Sequence, residues 1–169
     1  MVSKTSWHDF KQLDFKNKTW GFRQSELFVK VNFEILQKVL NRCGQYLSRI
    51  DFSRAIGLRS EILSGVAHYC PNIKCILIPE IDVAPWTLKV LAEKCSKIVS
   101  FTIGDTTDAC EDELSVLFEK NQHLKRVKFV FNPKVTGNCL KKLNAEKIKS
   151  IIFDHCRSIL FKNFNVSIV

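Results

Sequence analysis

A six-residue phrase, apolar-x-x-apolar-x-apolar, recurs along this chain at near-constant intervals and restricts its fold more than any other feature. It first stands at Leu47-Ser48-Arg49-Ile50-Asp51-Phe52. It returns from Ile73, Ile98, Leu124 and Ile148, in steps of 26, 25, 26 and 24 residues. All fifteen key positions are apolar, which at 46% apolar content has a chance of about 10⁻⁵. Apolar positions alternating with polar ones predict a short strand with one buried face.

A second signal keeps step with the first. Seven and four residues before Cys43 lie Leu36 and Val39. The same places before Cys70 hold Leu63 and Val66, before Cys95 Leu88 and Leu91, and before Asn121 Leu114 and Leu117. Leu40, Ala67, Ala92 and Phe118 widen each pair into one helical stripe. A fifth helix, with Leu140 and Leu143, is expected to be about half a turn shorter, which accounts for the 24-residue step. Neither element can bury its face alone, so the units must stack and their strands must form a parallel sheet.

The period lies in the leucine-rich-repeat range. The expected fold is therefore α/β: a right-handed leucine-rich-repeat solenoid, or horseshoe, of about five units, with parallel strands on the concave face and helices on the convex face. After each strand such a motif wants Asn or Cys, whose side chain satisfies turn backbone. Asn132 and Cys156 stand there, whereas Ala55, Ile81 and Thr106 depart from the pattern.

The 169 residues suffice for one domain with a real core, and 25% charged residues against 46% apolar argue against disorder. No apolar run approaches the roughly 18 residues of a membrane span. The first eight residues have no apolar stretch of the signal-peptide kind. The expected location is the cytoplasm or nucleus. Seven cysteines are then expected as reduced, small apolar core residues, because no CxxC or Cys/His pairing suggests zinc. No cofactor is expected. Six glycines include no phosphate-binding loop, and four scattered histidines show no catalytic spacing, so no enzymatic activity is expected either.

The repeats resemble the cysteine-containing leucine-rich repeats of F-box proteins. The phrases that carry this are Leu63-Ser64-Gly65-Val66-Ala67-His68-Tyr69-Cys70-Pro71-Asn72-Ile73 and Leu88-Lys89-Val90-Leu91-Ala92-Glu93-Lys94-Cys95, with the turns Thr107-Asp108 and Val135-Thr136-Gly137. Val2-Ser3-Lys4-Thr5-Ser6-Trp7-His8 is similar to the end of an F-box. The reading divides the chain into an F-box remnant at 1–9, an entry strand and connection at 10–34, and repeats at 35–169. The resemblance implies a substrate receptor of an SCF-type ubiquitin ligase. Most of the F-box is missing, so a Skp-type adaptor is implied only if a longer protein supplies it. Either the chain is a fragment or incomplete gene model of such a protein, or it binds partners without joining a ligase.

The net charge of +9 is uneven. Residues 120–149 hold nine basic residues against Glu146, and 105–119 hold six acids and no base. Residues between the apolar strand positions should face the concave surface. The expected partner-binding residues are Arg49, Asp51, Lys74, Thr102, Lys125, Arg126, Lys128 and Lys149, a basic row suited to an acidic or phosphorylated protein. The acids at 105–113 are expected to cap the fourth helix, with Asp112 or Thr107 as the cap itself. Trp86, after Pro85, is expected to pack inward. Two rival readings are a free-standing scaffold and a nucleic-acid binder. The second needs aromatic residues interleaved with lysine, and the sequence offers only Phe131.

Overall fold

The computed structural model describes residues 7–15 and 29–160. Residues 2–6 of the F-box-like phrase, most of the connection at 16–28 and the apolar stretch at 161–169 lie outside the described residues. The recurring phrase forms a strand at each of its five occurrences: β3 (Arg49–Asp51), β5 (Cys75–Ile78), β6 (Ser100–Ile103), β7 (Arg126–Val130) and β8 (Ser150–Asp154). Before them comes β1 (Gln12–Asp14). The six make one sheet in the order β1-β3-β5-β6-β7-β8, and every pair is parallel. A small parallel pair, β2 (Val29–Lys30) with β4 (Ala55–Ile56), sits apart from it.

Four helices connect the strands: α1 (Phe33–Cys43), α2 (Ile62–Tyr69), α3 (Pro85–Lys94) and α4 (Glu111–Lys120). Each packs on the next, and α4 packs on a 3-10 turn at Asn138–Lys142. The fifth α-helix expected from Leu140 and Leu143 is that 3-10 turn. Gly137, with φ 93, starts it in a left-handed conformation, and extended Leu143 stops it five residues later. One turn is the shorter unit's substitute for a helix, and it can bury only Cys139 and Leu140.

The core lies between the helices and one face of the sheet. Ile50, Ile76, Phe101, Val127 and Ile151 stand side by side in register, and so do Phe52, Ile78, Ile103, Phe129 and Phe153 one layer up. In the first four of these strands all such residues are buried, against stripes such as Leu63, Val66, Leu88, Leu91, Leu114 and Leu117. Each large side chain brings about 1.5–3 kcal/mol on burial, so the core outweighs any surface interaction described below. In β8 the same positions are only half-buried.

Polar side chains tie the units together. Asn121 takes the place that Cys43, Cys70 and Cys95 hold in earlier units. Its side-chain amide donates to the carbonyls of Cys95 and Leu117 (both 2.9 Å), and its oxygen accepts the Ile98 N–H (2.8 Å). Asn132 meets the expectation for the residue after a strand. It donates to the Gly104 carbonyl (2.9 Å) and accepts the N–H groups of Lys134 and Val135. Gly104 is required for close approach, since a Cβ there would stand 2.2 Å from the Pro79 carbonyl oxygen. No helix among the described residues is long and apolar enough to cross a membrane.

Candidate partner-binding face

Because strand side chains alternate, the face of the sheet turned away from the helices carries the variable residues. One column across it reads Arg49, Cys75, Ser100, Arg126, Ser150; a second reads Asp51, Leu77, Thr102, Lys128, Ile152. Lys74, Lys125 and Lys149 form a third row where the strands begin. Val99 completes this row, and the carbonyls of Lys74, Val99 and Lys125 each accept an N–H from the next member, from Val99, Lys125 and Lys149 in turn, all at 2.8 Å. Of the expected residues, Arg49, Asp51, Thr102, Arg126 and Lys128 stand in the outward columns, whereas Lys74, Lys125 and Lys149 precede the strands and are exposed at their entry; together they fall into two separate groups.

The first group is closed on itself. Arg49 donates to Asp51 (3.1 Å) and to the Cys75 sulfur (3.0 Å). Asp51 is 1% exposed and also accepts the Ser53 N–H and hydroxyl, so the expectation that it meets a partner is corrected. Its carboxylate sits under the strand exit, where backbone and hydroxyl donors compensate its burial. Thr102 is half-buried in the middle of the sheet, and Lys74 is exposed at the entry row.

The second group is open. Lys125, Arg126 and Lys149 are exposed and lie on neighbouring strands spaced about 4.8 Å apart. None has an ion-pair partner among the described residues. In water such neighbours repel by under about 1 kcal/mol per pair, so the fold tolerates them while they attract an anion together. Lys128 differs from its neighbours because Asp154 holds it at 3.0 Å. Hydrogen bonds from Lys128 and from His155 (2.7 Å) keep the Asp154 carboxyl below the usual carboxylate range.

Sequence reading missed what ends these strands. Phe131 and His155, at equivalent places after β7 and β8, have φ 50 and 56, the positive-φ non-glycine residues among those described. Their rings stack at 4.5 Å and 22°, and Phe131 is 60% exposed. A left-handed non-glycine residue costs about 1–3 kcal/mol, and a stacked pair returns about 0.5–1.5 kcal/mol. The rings therefore do not offset their own strain and bury nothing else. Ile152, 48% exposed, adds an apolar side chain level with Lys128, three strand positions short of this pair. Phe131 stands out in the sequence as an aromatic just past an apolar strand position, but its partner His155 cannot be paired with it without the register.

Two other expectations are corrected here. Neither Asp112 nor Thr107 caps α4: the cap position is Cys110, without a side-chain hydrogen bond. Instead Glu111 reaches forward to the next unit and accepts the N–H groups of Thr136, Gly137 (3.0 Å) and Cys139 (2.7 Å) and the Thr136 hydroxyl (3.0 Å). Burial raises its carboxyl pKa, but the Cys139 and Thr136 donors outweigh burial and hold it below the ordinary value. Trp86 is 50% exposed, because the first turn of α3 aims it outward while Thr87 and Leu88 take the buried side.

The cysteines divide by place. Cys43, Cys70, Cys95, Cys110 and Cys139 are buried, and burial raises all five thiols, Cys95 and Cys110 to about 11. Cys75 and Cys156 are half-buried free thiols. Among the described residues no three His, Cys, Asp or Glu side chains come together as a metal site. The chain matches no protein-family model and no curated protein.

Proposed function

We propose that the chain is a protein-binding module, a leucine-rich-repeat solenoid of right-handed, horseshoe type. Its partner sits on the strand face and is acidic or phosphorylated. One observation carries this reading: five strands in register turn one face to a common core, buried in the first four and half-buried in β8, while three cations without ion-pair partners stand together at the entry of β7 and β8. A solvated lysine face would serve solubility wherever it lay. Here the cations gather at the entry of two neighbouring strands, beside the face that no helix covers, and charge of one sign steers a partner of the other. Within this proposal the resemblance to F-box proteins makes the module the substrate-recognition part of an SCF-type ubiquitin ligase, with a Skp-type adaptor bound only through segments outside the repeats.

Two pull-downs test it. The chain with Lys125, Arg126 and Lys149 all changed to Glu should lose the proteins that the unchanged chain retains from cell extract. An identical set on both baits overturns the face assignment. A Skp-type adaptor should bind a longer chain that carries a complete F-box ahead of these repeats, and not the 169 residues alone. Failure in both forms ends the ligase reading and leaves a free-standing repeat protein.

A further inference from the structure

The open end of the strand face carries two unlike features at a fixed separation. At the entry end lie Lys125, Arg126 and Lys149; at the exit end lies the Phe131–His155 stack, with Ile152 between them, level with Lys128. From Arg126 to Phe131 is five residues of strand, about 16 Å at the usual rise. An extended peptide has the same rise, so the two ends of this surface are in step with positions five apart in a ligand.

Between them Lys128 is neutralised by Asp154, so the stretch joining cations to aromatics has no net charge to favour an acid in the middle. The aromatic pair has the marks of a binding anchor: large, exposed and held rigidly by a backbone conformation it does not choose for its own comfort. An apolar ligand side chain laid on Phe131 would remove it from water, and Ile152 offers a second apolar contact about three positions back along the strand.

The geometry points to an extended protein segment lying along β7 and β8, with acidic or phosphorylated residues over Lys125, Arg126 and Lys149 and an aromatic or large aliphatic residue about five positions away on Phe131. This rests on the protein-binding reading above and adds the spacing and the anchor. A single-stranded nucleic acid could also use cations and a stacking ring. The patch favours a peptide, because its cations cluster at one end rather than tracking a backbone, and its middle includes Asp154.

The probe is a fluorescein-labelled Ser/Gly peptide with two adjacent glutamates and a phenylalanine five residues on, followed by polarisation against the full chain. It should bind about tenfold more tightly than one with the phenylalanine two residues on, or with the glutamates changed to glutamine. Phe131→Ala and Arg126→Glu should each weaken it about tenfold with the thermal midpoint preserved, and Phe131→Gly, which also relieves the backbone, should match Phe131→Ala. Equal binding of all peptides, or an unaltered Phe131→Ala variant, overturns the proposal. Displacement by oligouridine that is itself lost in Phe131→Ala overturns it in favour of nucleic acid. If the triple charge reversal abolishes protein capture while Phe131→Ala changes nothing, the anchor fails and the protein-binding reading stands.

Discussion

The units ending in β5 and β6 and those ending in β7 and β8 share one core pattern and differ in nearly everything outside it. The earlier strands leave by a tight passage, Gly104 against the Pro79 carbonyl, and their outward columns hold Cys75, Leu77, Ser100 and Thr102. The later strands run one residue longer, leave through strained aromatic residues, and show charge outward. In β7 the core positions Val127 and Phe129 are as buried as Phe101 and Ile103 in β6, and in β8, the last strand of the sheet, Ile151 and Phe153 are half-buried. The repeat thus constrains one face strictly, and the later units spend that freedom on a surface.

The sharpest break of the comparison is a pair of truncations. Phe101→Ala should cost about 3–5 kcal/mol in urea denaturation, and Phe153→Ala, at the same kind of position in a half-buried setting, about half of that. Equal costs would mean that β8 is as well packed as β6. Next comes the polar column. Asn121→Cys restores the residue of the earlier units but strands the Ile98 N–H and the Cys95 carbonyl, and should cost about 1–3 kcal/mol by the same assay.

Glu111 gives a smaller, pH-dependent effect. Its folded carboxyl lies below the ordinary value, so its contribution is complete above the unfolded pKa, near 4.5, and is lost as pH falls through the lower folded value. The difference in urea midpoint between the unchanged chain and Glu111→Gln should be largest at pH 7 and shrink as pH drops below about 4.5. A difference that grows in acid would reverse the sign argued here. The smallest effect is chemical: at pH 8 a thiol reagent should modify Cys75 and Cys156 well before Cys95 and Cys110, whose thiols titrate at about 11. Simultaneous reaction of all four would show that burial does not protect Cys95 and Cys110.

How much of this could be read in the sequence follows from what periodicity measures. The strands, their parallel order and the helical stripes were legible because burial repeats every turn of the pattern, and Leu, Ile, Val and Phe record it directly. The role of Asn132 was legible too, since a turn after a strand needs a side-chain oxygen. The fifth helix was not, because Leu140 and Leu143 satisfy helical spacing whether one turn forms or three. Glu111 looked like a helix cap because acids near a helix start usually are; its reach into the next unit depends on where residues 136–139 come to rest. On the candidate face, Arg126 and Lys128 read alike as outward cations, and only the neighbouring strand reveals that Asp154 occupies one of them. Asp51 reads as exposed by alternation, yet the donors that cover it come from a turn with no periodicity.

The polar ties between successive units have a further consequence. The buried or half-buried links through Ser60 and Thr87, Asn121, and Asn132 join residues 23 to 28 positions apart, one period in each case. Such an architecture is modular in the genetic sense. Duplication of one whole period would present each neighbour with the partner it already has, and would widen the strand face by a single strand. A half-period insertion would instead place polar residues against the core. Lengths that differ by multiples of about 25 residues are thus the ones this design can explore without repacking, and the breadth of the surface offered to a partner can change by recombination alone.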